Sequence, residues 1–144
     1  MITEIYNMMT EALRAIPEIK HIDLWNQNVE FIDVDEAWAR PAVFIEFGPV
    51  IWKPYKGLHW GVPGTGEVLL HIVTDWKGSA ADGSQFKDET MADYELPDKV
   101  LQALSGLSGD NFRNFMLLRT ETNCNHQELL ENIDVYQVTY EKVF

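Results

Sequence analysis

The sequence predicts an α+β domain, a mainly antiparallel, curled sheet of four to five strands with two helices packed on one face. Three observations predict it. Two central runs, PAVFIEFGPVIW and TGEVLLHIVTDW, carry β-branched and aromatic residues with period-two alternation. Two stretches, 2–16 and 86–107, carry apolar residues at helical spacing instead. Two more strand-like runs then close the chain, FMLLRTE and IDVYQVTYE.

In the first helical stretch Ile2, Ile5, Tyr6, Met9, Leu13 and Ile16 fall within a stripe roughly 100° wide. Pro17 ends it, because the residue before a proline avoids the helical region. That stripe should lie on the sheet. Residues 19–25, IKHIDLW, read as a short strand, and the polar Asn26, Gln27 and Asn28 as a turn. The following VEFIDVDEAWAR is mostly loop, given its three acids at Asp33, Asp35 and Glu36.

The first central strand runs from about Ala42 to Phe47. Gly48 and Pro49 should interrupt its ladder, since proline donates no hydrogen bond and glycine often marks a bulge. Val50, Ile51 and Trp52 resume the extended path. Residues 53–65 form an aromatic, glycine-rich connection before the second central strand, in which Val68, Leu70 and Ile72 alternate with Leu69, His71 and Val73. A connection of this length is often functional, and its aromatics need a surface to lie against. Either it folds over its own domain or it reaches a neighbouring subunit. Trp52, Tyr55 and Trp60 are the candidate residues for a subunit interface.

KGSAADGSQ is a small polar loop. Phe86, Tyr94, Val100, Leu101, Leu104 and Leu107 then share one helical face, with Asp88, Glu89 and Asp93 placed early, where they complement the helix dipole. Pro97 interrupts this pattern. Leu96 would be a poor N-cap for a short second helix, so one kinked helix is expected, stopped by Gly106 and Gly109. The last two strands cover about Phe115 to Glu121 and Ile133 to Glu141, with a possible helical turn at Gln127 to Leu130 between them. No repeat, low-complexity tract or linker divides residues 1–144, so one domain is expected.

Composition narrows the partners. Eleven Lys and Arg against 23 Asp and Glu give a formal net charge of -12, which argues against nucleic acid and against an anionic membrane surface. One cysteine, Cys124, cannot build an internal disulfide framework. The first twenty residues lack the basic start and apolar run of a signal peptide, and no stretch approaches the roughly 20 apolar residues of a membrane span. Folding in the cytoplasm is expected.

Catalytic and ligand motifs are weak. GVPGTGE lacks the lysine of a P-loop and runs into a strand rather than a helix. Cys124 and His126 fall short of a four-ligand zinc set. Cys124 has no local feature of an activated thiolate, and Ser84 to Lys87 matches S-x-x-K without companion motifs. His71 reads as a packed or hydrogen-bonded histidine rather than a general base. No enzymatic activity, cofactor or metal is expected. A deep pocket lined by His59, His71 and carboxylates would instead favour a small ligand-binding or enzymatic domain with 53–65 as its lid.

The ordered pattern over roughly residues 2–141 resembles the small tail completion and tail terminator proteins of long-tailed bacteriophages and prophages. Pro41 opens a strand that ends near Gly48, and another strand ends in Val73-Thr74-Asp75-Trp76. An amphipathic helix ends in Leu104-Ser105-Gly106-Leu107, and the final strand holds Tyr136 and Tyr140. The resemblance implies a virion structural protein that self-associates into a ring, often hexameric, at the head-proximal end of the tail. Its partners would be the tail tube and the head connector, with assembly in the host bacterial cytoplasm before the subunit ends in the virion. Another neck or minor tail component is the neighbouring reading. The long 53–65 loop and Pro97 depart from the pattern and leave the subtype open.

Overall fold

The computed structural model describes residues 1–26, 38–53, 61–76, 78, 80–123 and 129–143. Helix α1 (Ile2–Arg14) leads into strand β1 (His21–Leu24). Strands β2 (Ala42–Trp52) and β3 (Gly61–Asp75) form a long hairpin. Two short helices, α2 (Lys87–Asp93) and α3 (Leu96–Leu104), precede β4 (Phe112–Asn123) and β5 (Leu129–Val143). The five strands form one sheet in the order β1-β2-β3-β5-β4, with β1 parallel to β2 and every other pairing antiparallel.

The main core lies between this sheet and α1 and α3. Ile5, Met9 and Leu13, one helical turn apart, are fully buried, as are Val100 and Leu104 of α3. Against them the sheet sets Val43, Ile45, Val68, Leu70 and Ile72 from the central hairpin, with Tyr136, Val138 and Tyr140 from β5. Period two in the strands and a turn-length period in the helices thus deliver apolar side chains to one layer. Each of the larger ones, once buried, contributes on the order of 1.5–3 kcal/mol.

Three sequence expectations need correcting. Residues 61–65 are strand, not part of the connection: Trp52 pairs with Gly64, Ile51 with Thr65, and the Lys53 amide donates to the Pro63 carbonyl at 2.8 Å. The glycines are there because neighbours occupy the Cβ positions. A Cβ on Gly64 would stand 2.6 Å from the Trp52 ring, and one on Gly66 would stand 2.8 Å from both Tyr140 and Val50. The expected kinked helix is two helices. The chain breaks at Tyr94, and Pro97 sits in the first turn of α3, where a missing N–H costs nothing. Glu95 takes the N-cap position, which removes the objection to Leu96; that side chain is buried instead. The expected helical turn near Leu130 is also replaced, since Leu129 and Leu130 already pair with Asp75 and Thr74 in β5.

The interruption at Gly48-Pro49 is observed as a register shift between Phe47 and Val50. Of the loop expected over 29–40, residues 38–40 are described and are neither helix nor strand; its residues 29–37, with Tyr55, His59, Trp60, Cys124 and His126, lie outside the described residues.

Candidate interaction surface

Among the three interface residues read from the sequence, Trp52 is described. It is half-buried at the end of β2, packed against the main core, and its ring covers Gly64. It is the base from which residues 54–60 depart. Its neighbour Ile51 points the other way and is 77% exposed, beside a shallow groove bordered by Pro49, Thr65, Glu67 and Gln137.

A second apolar surface escaped the sequence reading. Strand β4 is an outer edge of the sheet, and Met116, Leu117 and Leu118 stand exposed in succession along it. Register shifts fall between Arg113 and Met116 and between Leu117 and Arg119. Asn114 takes a positive φ of 58° at the first of them, a conformation that asparagine tolerates better than most residues. Such bulges blunt a long edge against indiscriminate strand pairing. The available signal was the absence of alternation: three apolar residues in a row cannot all face one core.

On the sheet face opposite the helices, His71 stands between two acids. Its Nδ1 lies 2.7 Å from Glu131 Oε1 and its Nε2 lies 2.7 Å from Glu46 Oε2. The second oxygen of Glu131 accepts from Asn123 Nδ2 at 3.0 Å. The Trp25 ring stacks flat on the imidazole, with centroids 3.7 Å apart. Phe44, Trp38 and Val73 continue the patch beside it. An imidazolium donating from both nitrogens satisfies both carboxylates; a neutral ring has one donor only. His71 is 4% exposed, so the ring is packed rather than presented to a ligand. No group of three or more His, Cys, Asp and Glu able to hold a metal occurs among the described residues.

Two further ionisable groups feel the fold. Burial pushes the Asp134 carboxyl above its ordinary range; the Thr120 hydroxyl, donating to it at 2.7 Å, opposes this, and Asp98 adds to the rise. Glu4 is held low, chiefly by the Asn111 side-chain amide, which donates to it at 2.7 Å and ties α1 to the start of β4. No helix among the described residues is long and apolar enough to cross a membrane.

No protein-family model matches the chain, and no curated protein matches it. Among solved structures, it is similar to a chain of a structure described as the virion of a native gene transfer agent particle. The two superpose with a TM-score of 0.60 over 94% of this chain and 93% of the other, at 14% sequence identity. At that identity the likeness is one of fold, and it extends over nearly the whole length of both.

Proposed function

We propose that this chain is a structural subunit of a phage or phage-like virion, a tail completion or tail terminator protein that forms a ring at the head-proximal end of the tail. The observation that carries the reading is the likeness to a virion chain over nearly its full length. The molecule's surface agrees with it. Met116, Leu117, Leu118 and Ile51 are exposed apolar side chains of the kind that subunit contacts cover. Trp52, with Tyr55 and Trp60 beyond it, supplies the anchors of an arm that meets the next subunit. His71, closed between two carboxylates, is a packing element, and the protein has no catalytic role.

In this role the subunit caps the tail tube, stops its polymerisation and offers a surface to the head connector. A ring is built from heterologous contacts that close on themselves. With a net charge of -12, each contact has to overcome mutual repulsion between copies. Electron microscopy of particles assembled without this chain tests the proposal. Abnormally long or headless tails are the expected result, and normal tails joined to filled heads would overturn it.

A further inference from the structure

Between α1 and β1 lies an open cleft of about 410 Å³, bordered by Tyr6, Asn7, Thr10, Arg14, Lys20 and His21. Its charge is unusual for this molecule. Acids outnumber Lys and Arg by 23 to 11 in the chain, yet none of the described residues that border this cleft is Asp or Glu. Arg14 and Lys20 are both exposed. Arg14 makes no ion pair among the described residues, and the Lys20 ammonium reaches only the Pro17 carbonyl, at 3.4 Å. Asp23 stands just outside, with Oδ2 3.8 Å from His21 Nε2. Among the described strands β1 is the outer one opposite β4, and its His21 and Ile22 line the cleft.

The matching surface is on the same chain. Helix α2 and its flanks expose Phe86, Met91 and Tyr94, each 40–48% accessible. Asp88 and Glu89 stand exposed among them, and neither has an ion-pair partner among the described residues. Two exposed carboxylates on a short helix complement a cleft bordered by two exposed cations. Tyr6, Thr10 and Arg14, four residues apart, form the flank turned to β1. Glu18, in the connection from α1 to β1, pairs with Lys99 of α3 at 2.7 Å. Among the described residues no ion pair joins Asp88 or Glu89 to Arg14 or Lys20 within one copy, so each surface is open to a second copy.

We propose that copies of this chain join head to tail, the acidic, apolar α2 segment of one seated in the Arg14–Lys20 cleft of the next. The contact is heterologous, so it generates a ring when its rotation closes. It gives an acidic chain a local attraction where its overall charge repels. Helix α2 is seven residues and about 10 Å long. The inference rests on the ring reading above and supplies one of its contacts.

Charge reversal tests it with the full-length chain, by sedimentation velocity and native mass spectrometry. Arg14→Glu with Lys20→Glu reverses the cleft, and Asp88→Lys with Glu89→Lys reverses the helix. All four sites are exposed, so circular dichroism and the melting midpoint should stay at wild-type values. Each double variant alone should associate at least about tenfold more weakly than wild type. A one-to-one mixture of the two should assemble again, since each then meets a complementary surface. If wild type assembles and either double variant assembles equally well, the assigned contact is wrong while the ring reading stands. If both variants are monomeric and their mixture stays monomeric, the pairing of these two surfaces is overturned. If wild type is monomeric at every concentration and on tail tubes, the contact and the ring fall together.

Discussion

Buried polar groups give the residue-scale predictions their sign. His71 bridges Glu46 and the 2%-exposed Glu131. Removing it strands a buried carboxylate, so His71→Ala should destabilise the fold by about 3–5 kcal/mol, read from urea denaturation. Tyr136 and Tyr140 are the opposite case. Their hydroxyls are buried without a hydrogen-bond partner among the described residues, and burial pushes the Tyr140 hydroxyl up to about 12. Tyr136→Phe should therefore be neutral or stabilising by up to about 1 kcal/mol in the same measurement. Asp134, whose folded pKa is raised, opposes folding when ionised, and that penalty is relieved as the pH falls through its folded value. Asp134→Asn should raise the melting midpoint at pH 7 and lose its advantage in acid. Glu4, whose folded pKa is lowered, has the reverse sign: its stabilisation is present above the ordinary carboxylate range and disappears below it.

At the scale of elements, the strands and α1 were legible because their burial is periodic. Ile5, Met9 and Leu13 form a helical stripe, while Val68, Leu70 and Ile72 skip every second position. The start of β3 was not legible. Gly64 and Gly66 weaken a local strand signal, and the reason for them comes from Trp52 and Tyr140 on the neighbouring strands. Gly66→Val should accordingly cost about 1–3 kcal/mol, because its side chain collides with Tyr140 and Val50; the change in denaturation midpoint measures it. The break before α3 was missed for a related reason. A proline inside a helical stripe fits a kink or a first turn equally well in sequence, and the burial of Leu96 goes with the first turn. The polar network at His71 was legible only as a histidine on a central strand, since its partners Glu46 and Glu131 arrive from β2 and β5.

For the whole molecule, the helices cover one side of the sheet while its β4 edge and the end of its central hairpin keep apolar side chains exposed. Exposed runs such as Met116 to Leu118 are a liability in a free monomer and an asset in an assembly. That arrangement, with the full-length likeness to a virion chain, is what the ring proposal draws on. The most direct measurement is the native mass of the wild-type chain over a range of concentrations, alone and with tail tubes of the same particle. A closed oligomer of fixed copy number that forms at high concentration or on the tube end is the expected result. A monomer throughout, with no binding to tubes, would contradict it.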